Sequence, residues 1–208
     1  MLHTQTIEPG TFSLLKELMH IPLLESFCLV GGTALALQFG HRSSIDLDLF
    51  FHERFDHENI VNALELHFSD RFLYKKQHTA FGIFCFIDQI KVDIVYYPHK
   101  PIEACRVVEG IRFYSDADIA AMKIQAILGR GKKKDFWDLY ELLQRYSLQQ
   151  IIDWHKRKYP GQMLAISIPH AITYFVDAED SETPVSFKGQ TWDQVKKEIS
   201  KVVRDYLR

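Results

Sequence analysis

Between residues 45 and 50 the chain reads IDLDLF, a strict alternation of apolar and acidic side chains. A period of two is the mark of a strand, here with Leu47 and Leu49 on one face and Asp46 and Asp48 on the other. Upstream, an apolar run over 27–30 stops at Gly31-Gly32, and residues 33–39 (TALALQF) are strong helix formers closed by Gly40. A strand, a glycine turn, a helix and an acidic strand in that order predict a mixed α/β unit. In such a unit two carboxylates stand close to backbone N–H groups at a helix start. Carboxylates two apart on a strand carry Cβ atoms roughly 6.5–7 Å apart, a spacing that lets them share a pair of Mg²⁺ ions. A polar face of an antiparallel sheet accounts for the same pattern when it is read alone.

The rest of the chain extends this layout. A helix is expected over 11–20, ended by Pro22, and another over 57–69. Runs 81–87 and 90–97 flank Asp88-Gln89 as a hairpin, with Ile90, Val92, Ile94 and Tyr96 on one face and Lys91, Asp93 and Val95 on the other. A short strand over 106–114 leads to Ser115-Asp-Ala-Asp118, a capping box that opens a helix to Leu128. The loop 129–134 (GRGKKK) separates it from a helix over 135–145, with Asp135 as its N-cap and Phe136, Leu139, Tyr140 and Leu143 inward. Thr191 caps a last amphipathic helix over 192–207, and Trp154, Tyr174, Phe175 and Trp192 read as aromatics of a helical core. The pattern is mixed to about residue 114 and helical beyond it, which predicts lobes over 1–114 and 115–208.

Composition excludes several classes. The 208 residues carry a formal net charge of −2, so no global basic field exists and any nucleic-acid contact needs a local patch, for which 130–134 is the candidate. Cys28, Cys85 and Cys105 are an odd set without a CxxC pair in apolar or strand-like surroundings, which predicts reduced, buried thiols and a cytoplasmic, soluble chain. No signal peptide and no apolar stretch of about 18 residues is present, so no membrane contact is expected. The histidines, among them His41, His52, His57, His67, His78, His99 and His155, are dispersed without zinc spacing and read mostly as surface residues. The GRGKKK loop lacks Walker spacing, and no GxSxG occurs.

Asp93 supplies a third carboxylate in mid-strand. A structural role would require a partner such as Lys91 or Arg112. Joined to Asp46 and Asp48 below a glycine turn, it points instead to a two-metal phosphoryl-transfer site. Asp46 and Asp48 would hold metal there, and Asp93 would bind the second ion and accept the proton of an attacking hydroxyl. Lys123 interrupts an apolar helix and shares a face with Arg130, so both could face a phosphate; a lysine stem at the edge of a core reads the same way. Asp138 lies one turn beyond Asp135 and could pair with Lys123, Arg130 or Lys134.

Four ordered motifs carry a resemblance that spans most of the chain. They are 29–35 (LVGGTAL), 40–50 (GHRSSIDLDLF), 119–123 (IAAMK) and 134–140 (KDFWDLY), followed by a similar ending over 171–178 and 191–196. Together they resemble the AbiEii/AbiGii nucleotidyltransferase family, which contains toxin halves of type IV toxin–antitoxin and abortive-infection systems. The resemblance implies an α+β fold of the polymerase-β-like nucleotidyltransferase type, a mixed sheet with flanking helices followed by a C-terminal helical lobe. It also implies an NTP substrate, one or two Mg²⁺ ions, an acceptor hydroxyl on RNA such as a tRNA 3′ end or on protein, and a cognate antitoxin. Residue by residue, Gly31, Gly32 and Thr33 match the triphosphate turn, and Asp46 and Asp48 match the metal pair with Asp93 beside them. Lys123 matches the lysine of the third motif, while Asp135 and Asp138 match the aspartates of the fourth. Arg42, Ser43, Arg130 and Lys134 complete the expected nucleotide-binding set. The more usual Gly-Ser of the superfamily is Gly-Gly here, one hydroxyl fewer.

Two other readings compete. A DxD phosphatase with Asp46 as nucleophile wants a long apolar strand before it, whereas residues 41–44 read HRSS. A non-catalytic module that binds nucleotide or RNA and acts through a protein partner keeps the fold without turnover.

Overall fold

A computed structural model describes residues 1–76 and 81–208; His78 lies outside the described residues. The elements, in chain order, are α1 (Pro9–Met19), β1 (Cys28–Leu29), α2 (Gly31–Phe39), β2 (Leu47–Phe51), α3 (His57–Phe68), β3 (Phe72–Tyr74), β4 (Gly82–Ile87), β5 (Ile90–Tyr96), β6 (Arg106–Val108) and β7 (Ile111–Phe113). The helices α4 (Asp116–Gly129), α5 (Lys133–Leu143), α6 (Leu148–Lys158), α7 (Ile168–Ala171) and α8 (Trp192–Tyr206) follow.

One mixed sheet runs in the order β3-β4-β5-β2-β1-β7-β6. Its centre positions the site. β2 pairs parallel to β5 with Asp48 opposite Asp93, and antiparallel to β1, which ends just before the glycine turn. Alternation does the rest. Leu47 and Leu49 of β2 and Val92 and Ile94 of β5 are buried in the core, which leaves Asp48 and Asp93 on the opposite face.

The hairpin between β4 and β5 forms as expected. Asp88 and Gln89 adopt φ of 51° and 64°, the left-handed pair that a two-residue turn needs to match strand twist. The single strand expected over 106–114 is instead a second hairpin, β6–β7, because Glu109 (φ 50°) and Gly110 (φ 80°) turn the chain back. α2 begins two residues earlier than expected, so Gly31 and Gly32 form its first turn, and Gly40 closes it at φ 65°. Ser115 caps α4 by accepting from the Asp118 amide, but the reciprocal bond of the expected capping box is not made, since Asp118 takes the Ser115 hydroxyl instead; Thr191 caps α8 as expected. Asp135 does not cap α5; Lys132 occupies the cap, and Asp135 lies inside the first turn.

The main apolar cluster runs from Leu2 to Val203, beside a small second one of Ile102, Ala117, Ala121 and Tyr159. It joins Phe113 of the sheet to Ile119 and Ile124 of α4, so packing is continuous across residue 114. Phe175 and Trp192 pack against this core around Phe136, whereas Tyr174 is exposed. Cys28 and Cys105 are joined as a disulfide across 77 residues with Cα atoms 6.8 Å apart, which corrects the expectation of three reduced thiols. Cys105 is also exposed; only Cys85 is a free, buried thiol. Spacing in sequence carries no information about a pairing that tertiary folding creates. No helix among the described residues is long and apolar enough to cross a membrane.

Candidate active site

The site begins at the junction of β1 and α2. The amide of Val30 donates to the Asp48 carbonyl (2.9 Å), which holds the turn against β2. Gly31 has φ of 73°, and a Cβ there would stand 2.6 Å from Asp48 Oδ2, so both backbone conformation and space demand glycine. Gly32 is required for a different reason: a Cβ there would fall within the guanidinium of Arg42. That is the physical counterpart of Gly-Gly where Gly-Ser is more usual. Arginine occupies the volume a serine side chain would need.

Arg42 is itself held from behind. Its Nε and Nη2 donate to Asp138 Oδ1 (2.6 Å) and Oδ2 (2.8 Å), a two-pronged ion pair, and its Nη1 donates to the Ser43 carbonyl (2.8 Å). Asp138 also takes His41 Nε2 (2.7 Å) and Lys123 Nζ (2.6 Å). Lys123 reaches Asp135 Oδ1 as well (3.1 Å), and Arg130 Nε lies 3.4 Å from Asp135 Oδ2. Asp135, Asp138 and His41 are fully buried. Burial pushes against ionisation of Asp138, but Arg42 and Lys123 outweigh it and hold the carboxyl well below its usual range. The same balance keeps Lys123 above its ordinary value: burial opposes, and the Asp138 and Asp135 charges prevail. Asp135 and Asp138 were expected as nucleotide contacts; the structure sets them behind Lys123 and Arg42, where they position those cations. Thr33 is likewise internal, its hydroxyl donating to the Asp46 carbonyl (2.5 Å) beside Ser44 Oγ (2.8 Å).

The remaining expected residues do converge. A narrow hollow of about 70 Å³ is walled by Gly31 and Gly32, by Asp46 and Asp48, and by Arg42, Lys123, Arg130 and Lys134. It adjoins a larger hollow of about 380 Å³ between the sheet and α4, which shares Gly31, Asp48, Lys123 and Arg130 and adds Asp93. On the side of Asp46 and Lys134 lies a third hollow, about 240 Å³, where Ser43, Ile45, Pro184 and Val185 meet. The third wall is formed by the segment after residue 182, which bonds back to 41–43: Ser43 donates to Val185 (2.9 Å) and Phe187 to His41 (3.0 Å).

The carboxylates on this face are poorly compensated. Burial, and then the nearby charge of Asp93, push the Asp48 carboxyl up to about 6. Asp93 Oδ1 is buried without a partner, while its other oxygen bonds Lys91, one of the two partners foreseen for it. Arg112, the other, bonds the carbonyls of Phe27, Met19 and Leu24 instead. Lys134 lies 3.9 Å from Asp46. Two crowded carboxylates and an orphaned buried oxygen fit a hard divalent cation, because all the donors are oxygens and Asp48 has no ion-pair partner among the described residues. No group of three metal-ligating side chains is gathered as a finished cage among the described residues. Mg²⁺ of this kind keeps water and phosphate oxygens in its shell.

Sequence reasoning missed His41 as a buried partner of Asp138, and Tyr97 and Gln125 as walls of the larger hollow. Gln125 lies three residues after Met122 on α4, which puts both on one helix face, but nothing in the sequence marked that face as the wall of a site. His41 offered none, since its partner is 97 residues away. His155 is buried too, and the fully buried pair of Lys158 Nζ with Asp118 Oδ1 (2.6 Å) was equally hidden.

Residues 13–159 match the family described as nucleotidyl transferase AbiEii toxin of type IV toxin–antitoxin systems. A protein of Aquifex aeolicus, aq_aa25, is 32% identical over 204 residues, covering 93% of this chain and 94% of that one. Among solved structures, JHP933 of Helicobacter pylori superposes with a TM-score of 0.57 at 18% identity, covering 95% of this chain and 92% of that one. MenT4, a nucleotidyltransferase toxin of Mycobacterium tuberculosis, gives 0.56 at 14% identity, covering 95% and 86%. At such identities the structural likeness speaks for the fold, and it is the α+β nucleotidyltransferase fold that the motifs implied. The glycine turn, the acidic strand and the family match together lead to one statement: this chain belongs to the AbiEii nucleotidyltransferase toxin family.

Proposed function

We propose that the protein transfers an NMP from an NTP to an acceptor hydroxyl, with Mg²⁺ held by Asp46, Asp48 and Asp93 and pyrophosphate released. The observation that supports this most is Asp48 facing Asp93 in register beneath Gly31, with one Asp93 oxygen unpartnered and Lys123 across the gap. The narrow hollow suits phosphates: it combines the first turn of α2, whose N–H groups attract anions, with Lys123, Arg130 and Lys134. Arg42 faces the same space while Asp138 keeps it oriented. Bound Mg²⁺ would supply charge neutralisation along the phosphates. Asp93 takes the proton of the attacking hydroxyl as its oxygen bonds to the α-phosphorus, and the bond from that phosphorus to the bridging oxygen breaks to free pyrophosphate.

The acceptor side is assigned to RNA, such as a tRNA 3′ end, drawn by the basic loop 130–134 with exposed Arg130 and half-exposed Lys134. Family membership supports a toxin role, opposed by a cognate antitoxin, and the cytoplasm as its place of action, where NTPs and tRNA meet. The test is labelled-nucleotide transfer and pyrophosphate release with total RNA, wild type beside Asp48→Ala. Transfer should fall by at least about a thousandfold in a folded variant, close to 4 kcal/mol of barrier. Transfer at the wild-type rate would overturn the assignment, and NTP binding without any turnover would establish the non-catalytic module in its place.

A further inference from the structure

The two adjoining hollows are built for different chemistry. The narrow one is glycine backbone and charge, whereas the larger is walled by Phe50 of β2, by Tyr97 just beyond β5, and by Ile119, Met122 and Ala126 on α4. About 380 Å³ between an aromatic floor and an apolar roof suits a flat heteroaromatic ring better than a phosphate. Because the two spaces share Gly31, Asp48, Lys123 and Arg130, a nucleotide with its phosphates in the first extends its base into the second.

One uncharged side chain with amide donors enters that larger space, Gln125. Behind it stands His155 of α6, its Nε2 3.0 Å from Gln125 Oε1. His155 is 2% exposed, and burial pulls its pKa down to about 4, so the ring is neutral and carries a single N–H. An amide oxygen only accepts; Nε2 is therefore the donor, which sets both the tautomer and the amide orientation. The oxygen is turned to His155. The amide nitrogen, with no protein partner among the described residues, is left to the hollow.

We infer that Gln125, oriented by His155, reads the nucleobase by donating its amide N–H groups to an acceptor on the base edge, and thereby sets which NTP the protein prefers. Adenine accepts only at ring nitrogens, whereas uracil, cytosine and guanine also offer carbonyl oxygens, so donors fixed at one place meet a different acceptor pattern on each base. The inference rests on the nucleotidyl-transfer reading only for the ligand being a nucleotide; that the base is met by N–H donors comes from the amide and its histidine. Gln125 is the residue that meets the base, and His155 is a positioning residue.

The experiment measures affinity of the full chain for UTP, CTP, GTP and ATP with Mg²⁺ by titration calorimetry, alongside labelled transfer from each. Wild type should bind its favoured NTP about tenfold or more tighter than the least favoured one, the equivalent of one good hydrogen bond. Gln125→Glu, which offers only an acceptor, should lower that ratio at least tenfold. Gln125→Met, of similar length and apolar, should bring it near one. His155→Phe, which keeps the ring and removes the donor, should relax the ratio through KM while kcat for the preferred NTP holds. A wild-type ratio near one, or a ratio untouched in both Gln125 variants, would overturn the inference even if transfer proceeds. The expected ratios without transfer would uphold it and defeat the transfer reading alone; no NTP binding at all would defeat both.

Discussion

Two groups of aspartates lie close together and behave in opposite ways. Asp135 and Asp138 are fully buried, yet each sits against two or more cationic or donor groups: Lys123 and Arg130 for one, and Arg42, His41 and Lys123 for the other. Asp48 and Asp93 are more accessible but worse matched, with Asp93 Oδ1 orphaned and the Asp48 carboxyl pushed up to about 6. Buried charge set against neighbouring cations is a scaffold, even though Asp135 Oδ2 and His41 Nδ1 make no hydrogen bond; carboxylates left crowded and short of cations mark where something else has to bind. The scaffold serves the site directly, because it is Asp138 that aims Arg42 past Gly32 and holds Lys123 opposite the open carboxylates.

The sharpest way to break this contrast is to remove the hub. Asp138→Ala would leave Arg42 and His41 buried without their shared partner and Lys123 with Asp135 alone. It should destabilise the protein by about 3–5 kcal/mol in urea unfolding. A loss below 1 kcal/mol would show that the cluster is not compensated as described.

The open face should respond with the reverse sign. The folded Asp48 pKa is raised, so this group's stabilising contribution is complete below about pH 4 and is lost as pH rises through about 6. From that group alone, stability should fall by up to about 3 kcal/mol between pH 4 and 8, and Asp48→Asn should flatten the slope and be the more stable protein at pH 8. Urea midpoints across that range check it; parallel slopes for the two proteins would remove Asp48 from the account.

Gly32→Ser tests the link between the two regions, since its Cβ meets the Arg42 guanidinium. Overpacking there should cost about 1–3 kcal/mol, and Gly32→Ser with Arg42→Ala should show coupling beyond the sum of the two changes. Additive effects would mean that the serine finds room elsewhere. The smallest effect belongs to Lys134→Ala. This half-exposed lysine, 3.9 Å from Asp46, should change stability by less than about 0.5 kcal/mol, yet raise KM for NTP severalfold. Steady-state kinetics beside thermal unfolding would separate the two.

Much was decided by the sequence alone, because it depends on neighbours along the chain. The alternation from Leu47 to Leu49, the hairpin at Asp88-Gln89, the Gly40 stop and the caps at Ser115 and Thr191 are governed by side-chain periodicity and local backbone freedom and formed where those rules put them. β2 begins only at Leu47, however, so that Asp46 and the exposed Ile45 precede the strand expected to hold them. The shared face of Asp48 and Asp93 also formed as expected, once β2 and β5 were neighbours. Tertiary structure alone decided the partners. Nothing local says that His41 and Arg42 close on Asp138 almost a hundred residues later, that Cys28 meets Cys105, or that His155 turns the amide of Gln125. Which aspartates hold the scaffold and which face the hollow depends on charges delivered from distant segments, and electrostatic compensation becomes defined only when burial has brought those segments together.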